Sequence, residues 1–363
     1  MNAPARIQTV GSGSYSRADV KFLLRPLQIE CTDVQEKERL IQSGQRHYSE
    51  MISLEKAPSP EHQALYDRAL EQNALRMAMD VQSLAQGINE QYQTRTIALV
   101  SFVRAGLPLG VLLRRALVDM GREAVHYGIS IVRDRGIDAI ALETIIARHG
   151  ADSIVFVDGW TGKGAISGEV QRSLAGDDRF PEQPRLVVLA DPCGKAWMAA
   201  SAEDWIIPSG ILGATVSGLV SRSIWPNDGG LHGCVVYEHL QDHDVSNDFI
   251  ETIEVHRHML DEQPTTNPWS ELEARQLQAN ALGVVHTIAA DLGITNLNRV
   301  KPGIAEATRA VLRRVPERVM VRDIGDEDVQ LLKHLTDRAG IRVEEAGAAL
   351  GPYRAMTIIQ KVS

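Results

Sequence analysis

Ser153-Ile154-Val155-Phe156-Val157-Asp158-Gly159-Trp160-Thr161-Gly162-Lys163-Gly164-Ala165-Ile166 is the stretch on which the reading of this chain turns. An apolar run of strand length ends in a carboxylate, a short glycine-rich turn follows, and a helical pattern begins directly behind it. Backbone N–H groups converge in such a turn, and a helix N-terminus adds about half a positive charge, so the segment predicts a phosphate site. It is not a Walker A loop, which places four residues between its first glycine and the Gly-Lys pair and then requires Ser or Thr. Nor is it a dinucleotide fingerprint, whose glycines are spaced differently and whose strand does not end in an acid.

On either side of this segment, short apolar strands alternate with helical patterns. Ile97 to Val103, Ala124 to Ile129, Ser153 to Val157 and Arg185 to Ala190 read as strands, and Leu107 to Met120, Ala139 to Ala147 and Ala165 to Leu174 as helices. That order predicts an α/β fold with a parallel sheet, whose ligands sit at the carboxyl ends of the strands. Upstream, Gln35 to Tyr92 is polar and helix-favouring, and Leu65, Leu70, Leu75, Met77, Met79, Val81, Leu84 and Ile88 supply an apolar stripe for a helical layer. The polar run Gln263-Pro264-Thr265-Thr266-Asn267-Pro268 reads as a linker to a small α/β unit. The expected organisation is a flexible leader over 1–20, a main domain over 21–262, a linker over 263–270 and a C-terminal domain over 271–363.

The 363 residues exceed one ordinary core, in line with two domains. A formal net charge of −9 argues against a surface that is basic all over, but the charge is uneven: +3 from Thr295 onward and −12 before it. No apolar run reads as a membrane span, and the first seventeen residues lack the basic-then-apolar order of a secretory signal, so a cytoplasmic chain is expected. Cys31, Cys193 and Cys234 are too scattered for a disulfide framework or a zinc site and read as free thiols. His239, Asp242, His243 and Asp244 lack a ligand signature, so no protein metal site is expected.

Strand, acid, Thr-Gly and helix follow the order of the PRPP motif in type I phosphoribosyltransferases, which this segment resembles, although Gly159 stands where the familiar motif has a second acid. Leu99-Val100-Ser101-Phe102-Val103-Arg104-Ala105-Gly106-Leu107 resembles the pyrophosphate loop of that superfamily. Ser130-Ile131-Val132-Arg133-Asp134-Arg135-Gly136 lies where its mobile loop is found, and Trp205-Ile206-Ile207-Pro208-Ser209-Gly210 resembles its base-contacting segment. The resemblance implies a type I phosphoribosyltransferase-like parallel sheet with a helical N-terminal elaboration, and a magnesium-dependent transfer of phosphoribose between PRPP and an unidentified nucleobase-like acceptor. It implies catalytic roles for Asp158, Arg104, Arg133 and Arg135. PRPP would be held by Ser101, Ala105, Gly106, Thr161, Gly162, Lys163, Gly164 and Ala165, and the acceptor by Ser209 and Gly210, with magnesium held mainly by PRPP.

Gly13-Ser14-Tyr15, Arg46-His47-Tyr48-Ser49-Glu50, His126-Tyr127-Gly128-Ile129-Ser130 and Thr215-Val216-Ser217-Gly218-Leu219 extend a second, nearly full-length resemblance. It is to phosphoribosyltransferase-like proteins with a C-terminal Pelota-type RNA-binding domain, encoded in tellurite-resistance and stress gene clusters. In the C-terminal unit, Asn298-Arg299-Val300-Lys301-Pro302-Gly303-Ile304-Ala305-Glu306-Ala307-Thr308-Arg309 resembles the Lys-x-Gly-x-x-Glu face of the Pelota and kink-turn-binding family, which turns a helix N-terminus toward RNA. That implies RNA contacts by Arg299, Lys301, Gly303, Glu306 and Arg309. A homodimer is compatible with the pattern. Two other classes stay open: a noncatalytic nucleotide- or RNA-binding regulator, and a cysteine hydrolase using Cys193, since similar proteins are sometimes labelled stress-induced cysteine proteases. Cys193, in Asp191-Pro192-Cys193-Gly194-Lys195, otherwise reads as a buried structural thiol.

Overall fold

The computed structural model describes residues 8–93 and 96–361. Six parallel strands form the central sheet, in the order Lys21–Phe22, Glu123–Ile129, Thr96–Phe102, Ile154–Val157, Leu186–Ala190 and Met198–Ser201. Among the described residues, nine α-helices flank or follow it: α1 (Val34–Gln42), α2 (Pro60–Gln91), α3 (Gly106–Asp119), α4 (Ala139–His149), α5 (Ala165–Leu174), α6 (Ser246–His258), α7 (Glu271–Asp291), α8 (Ile304–Arg313) and α9 (Gln330–Ala339). Successive strand side chains point to opposite faces. Ile97, Leu99, Val155, Val157, Val187 and Leu189 accordingly join the core that holds α2 and α3. Ala98, Val100, Ile154, Phe156 and Val188 join the one under α4 and α5. Both sheet faces are buried, which is why these strands read as continuous apolar runs.

The 32-residue α2 starts at Ser59, whose hydroxyl accepts the His62 N–H, with Pro60 in the first turn. Its buried face differs from the expected stripe: Leu75 and Met79 are exposed, while Ala69, Ala74, Ala78 and Ala85 are inside. Small residues let this helix lie close to α3 and α6, and a stripe of large residues does not reveal that. The second half of the expected leader is packed rather than free. Tyr15 is buried with its hydroxyl on the Val216 carbonyl, and Asp19 takes a bidentate pair from Arg115 at 2.7 and 2.9 Å. Residues 1–7 of that leader lie outside the described residues.

The C-terminal unit has a mixed four-stranded sheet in the order Val300–Pro302, Ala355–Ile359, Pro316–Val321 and Val343–Glu345. The expected linker is pinned to the main body: the Thr266 N–H donates to the Ser83 carbonyl, and the Trp269 N–H to that of Trp197. One apolar cluster runs from α2 and the central sheet through Trp205 to Ile304, Val319, Val321, Leu331 and Leu332 of the C-terminal unit. A second places Cys193 of the main body among Ala281, Val285, Met320, Tyr353 and Met356. No helix among the described residues is long and apolar enough to cross a membrane.

Candidate functional site

Arg104, Asp158 and Asp191 follow the ends of three neighbouring strands, at the carboxyl edge of the sheet. The turn from Asp158 to Ala165 is tied down on both sides. The Asp158 Oδ1 accepts the Gly159 N–H at 2.8 Å, the Thr161 N–H donates to the Ala190 carbonyl, and Gly164 takes a left-handed φ of +79° as it opens α5. Gly106 is required by close approach, because a Cβ there would sit 2.3 Å from the Val157 carbonyl oxygen. Burial pushes the Asp158 carboxyl up to about 7, against the Gly159 amide and Arg309, which favour its charged form.

A cleft of about 950 Å³ separates this edge from the C-terminal unit. It gathers Arg104, Ala105, Arg133, Arg135, Asp158, Thr161, Gly162, Lys163, Gly164 and Ala165 with Arg299, Lys301, Glu306 and Arg309, so most of the residues singled out by the two resemblances share one site. Lys37, Arg222, Arg313 and Arg314 join them; the i,i+4 spacing of Arg309 and Arg313 is the sequence signal that puts both on one helix face.

The remaining candidates do other things. Ser101 is fully buried, donating to the Gly106 carbonyl and bonded to His126, so it holds the start of α3 and does not face the cleft. Ser209 is buried and Gly210 abuts the Trp160 ring; neither lines the cleft. The Lys163 ammonium, expected on a phosphate, donates to the Leu297 and Val300 carbonyls and clamps the C-terminal unit to the turn. The N-terminus of α8, expected toward RNA, is filled from the main body. Both Asp204 oxygens accept the Ile304 N–H, at 3.0 and 3.1 Å, and one accepts the Arg354 N–H at 2.8 Å, with Gly303 facing the same carboxylate. Instead of an open loop, Arg133 and Arg135 flank the turn of a short hairpin, Ile131–Val132 with Gly136–Ile137, where Asp134 takes a positive φ of 67°.

The thiols differ sharply. Cys31 is exposed, whereas Cys193 and Cys234 are buried. The Cys193 Sγ donates to the Thr161 Oγ1 at 3.2 Å and lies 3.4 Å from the Asp191 Oδ1. Burial, then the Asp191 charge, push its pKa well above the ordinary thiol value, so it is protonated at neutral pH. Among the described residues, no imidazole is hydrogen-bonded to any of the three cysteines. Treating the folded protein with a disulfide reagent at pH 8 is expected to modify Cys31 first, with the other two reacting at the rate of unfolding; three equally fast thiols would contradict the packing. Asp119, Glu254 and His258 bring ligand atoms within 4.8 Å of one another, but Arg257 donates to both carboxylates and supplies their countercharge.

Fold and site together define a two-unit α/β protein with a cationic cleft between its units and a buried thiol at their seam. Residues 13–254 match the family described as "Tellurite-like stress resistance cysteine protease StiP", and residues 279–361 match the "PELOTA RNA binding domain". The chain is 54% identical over 364 residues to "Cysteine protease StiP" of Acinetobacter baylyi, covering 97% of this chain and 94% of that one. This chain belongs to the StiP family, with a Pelota-type unit at its C-terminal end. Among solved structures, hypoxanthine phosphoribosyltransferase from Trypanosoma cruzi complexed with IMP pairs with it at a TM-score of 0.25 and 14% identity, over 55% of this chain and 94% of that one. An inhibitor-bound glycine decarboxylase pairs at 0.26 and 12%, over 94% and 89%. Scores at that level decide nothing about the fold. The relative's name corrects the expectation of a phosphoribosyltransferase: the near-full-length match is to a protein called a cysteine protease, the class that the Cys193 alternative anticipated.

Proposed function

We propose that this chain is a cysteine protease whose nucleophile is Cys193. The name of its 54%-identical relative supports the class, and the placement of Cys193 supports the residue. Among the described residues, it is the thiol with polar side-chain partners, Thr161 and Asp191, and it follows a strand at the sheet's carboxyl edge. Cys234 is sealed in a strand pair and Cys31 lies on an isolated edge bridge. In the reaction, the Cys193 thiolate would attack a peptide carbonyl, expel the amine as an acyl thioester forms, and be released by water.

In the structure this thiol is buried and its pKa is raised above the ordinary value. Asp191 accepts hydrogen bonds from the Thr161 hydroxyl, the Ala196 amide and the Trp269 indole, and its Oδ1 lies 3.4 Å from the Cys193 sulfur. The backbone of Ala274 and the side chain of Leu277, on α7, pack against Gly194, next to Cys193. Casein hydrolysis by the purified full chain tests the assignment. Cys193→Ser is expected to remove activity by at least about 100-fold, with an unchanged circular dichroism spectrum, while Cys31→Ser retains it. Full activity in Cys193→Ser, or loss in Cys31→Ser alone, overturns it. RNA binding by the Pelota-type unit is a second reading, favoured by the cations of Arg299, Lys301 and Arg309 on the cleft wall.

A further inference from the structure

Thr161 stands between the inter-unit cleft and the thiol. It lines the cleft, whereas Cys193 does not, and the two side chains meet at 3.2 Å, with the Sγ donating to the Thr161 Oγ1. The resemblance to phosphoribosyltransferases gives Thr161 to PRPP, but its hydroxyl proton is turned inward, onto the Asp191 Oδ1. The sulfur, the hydroxyl oxygen and that carboxylate oxygen form a triangle, whose third side is the 3.4 Å from Sγ to Oδ1. Thr161 is 7% exposed and Cys193 3%, so bulk water does not compete freely for these contacts.

Each corner is fixed by bonds outside the triangle. The Thr161 N–H donates to the carbonyl of Ala190, the residue before Asp191, at 2.9 Å. The other Asp191 oxygen accepts the Ala196 N–H at 2.8 Å and the Trp269 indole N–H at 3.1 Å, so the carboxylate is gripped from its far side. The Gly194 N–H closes the turn around Cys193 on the Asp191 carbonyl at 3.3 Å. Threonine is stiff about χ1, while its hydroxyl hydrogen rotates to suit its partners. What moves easily in this arrangement is a hydrogen, not a heavy atom.

Counting protons then gives the hydroxyl a role. With Cys193 as a thiol, its S–H rests on Thr161 and the Thr161 O–H on Asp191. Without the thiol proton, the sulfur and the carboxylate are like charges 3.4 Å apart, and the Thr161 hydroxyl holds the hydrogen between them. Among the described residues, no other hydrogen bond reaches the sulfur. A hydrogen bond donated to the charged form of a group favours that form. The thiol's titration shows the same opposition: burial and the Asp191 charge push it up, while the Thr161 hydroxyl and, more weakly, Lys195 pull it down. The Lys195 ammonium is held by Gln278, and Tyr353, whose phenol is kept neutral by burial, brings no charge. The other neighbours, Ala281, Val285, Met320 and Met356, are apolar.

On the reading of Cys193 as the nucleophile, which this inference requires, we propose that Thr161 is a catalytic residue of the same reaction. Its hydroxyl accepts from the thiol and turns to donate to the sulfur as the thiolate forms. The thiol proton passes to water, and no covalent bond of Thr161 changes. When the sulfur adds to the peptide carbonyl, the charge moves to the carbonyl oxygen and the hydroxyl returns to Asp191. Thr161 thus holds the nucleophile's charge between its release and its attack.

Casein hydrolysis by the purified full chain and the infrared S–H stretch of Cys193, identified by its loss in Cys193→Ser, test this together. Thr161→Val and Thr161→Ala remove the hydroxyl with and without the branch. Both are expected to lower kcat by about ten- to 100-fold, the effect of one hydrogen bond to a charged group, with KM held within about two-fold. Both should also shift the S–H band, because the thiol loses its acceptor. Thr161→Ser should restore kcat to within about three-fold of the native chain and keep the band in place. Native kcat in Thr161→Val and Thr161→Ala, or an S–H band that does not move, overturns the proposal and leaves the Cys193 assignment standing. A fall in activity that only matches a loss of folded protein by circular dichroism makes the hydroxyl a structural tie and overturns it too. A native chain that leaves casein intact overturns the protease reading itself, and this inference with it.

Discussion

Leu332→Ala, in the C-terminal unit, is expected to lower the unfolding midpoint of the whole chain, with every probe shifting together. Leu332 is fully buried, and removing such a side chain costs about 2 to 5 kcal/mol. In a modular protein that loss would stay inside residues 271–363. Here Leu332 belongs to the apolar cluster that continues through Trp205 into α2 and the central sheet. The other side of the C-terminal sheet is closed by a cluster that includes Cys193 from the main body. Each buried Val, Leu or Ile contributes roughly 1.5 to 3 kcal/mol, so the shared residues together rival the 5 to 15 kcal/mol by which a domain is ordinarily stable. All five tryptophans lie at or before Trp269, so fluorescence reports the main body and its seam with the C-terminal unit, where Trp205 and Trp160 sit. In urea, fluorescence and far-ultraviolet circular dichroism should therefore move to the same lower midpoint. A fluorescence transition that stays at its native midpoint would show two independent units and sink the shared-core account.

That shared core marks the limit of what the sequence discloses. The strands around Ile97, Ser153 and Arg185 are legible because a parallel strand buried on both faces is apolar throughout, and the Asp158 to Ala165 turn is legible because its glycines and its following helix leave few alternatives. The cleft is only half legible. Arg104, Arg133 and Asp158 stand in recognisable local settings, yet nothing local says that α8 will lie opposite them. Lys163 shows the difficulty: its position in the turn suggests a phosphate partner, and only the fold brings the Leu297 and Val300 carbonyls to its ammonium. The N-terminus of α8 carries a similar lesson, since Asp204, a hundred residues upstream, fills it. Cys193 is legible as a buried thiol after a strand, and it is buried; what no local signal gives is that α7 packs over the neighbouring Gly194 and that the Asp191 charge adds to burial in raising the thiol's pKa.

Glu55→Ala is expected to destabilise the protein by about 3 to 5 kcal/mol, the range for leaving one member of a buried ion pair alone. Glu55 takes the Arg104 guanidinium at 2.5 Å and the Ala214 N–H at 2.5 Å, and Arg104 itself is 6% exposed. Removing the carboxylate would strand that guanidinium beside Arg309, Arg313 and Arg222, which already crowd one another. The double change Glu55→Ala with Arg104→Met should recover most of the loss, since it removes the stranded charge as well. The same pair predicts an acid limb. Burial pushes the Glu55 carboxyl up, but Arg104 and Arg313 outweigh it and hold the group at about 2, below its ordinary 4.5. A carboxyl lowered on folding stabilises fully above its unfolded value and loses that contribution as pH falls toward the folded one. Between pH 5 and pH 2 the native chain should therefore lose on the order of 3 kcal/mol more than Glu55→Gln, which has no charge to lose. Parallel stability curves for the two proteins over that range would mean that the Arg104 charge is neutralised by some other group, and would remove Glu55 from the account of how this cationic cleft stays folded.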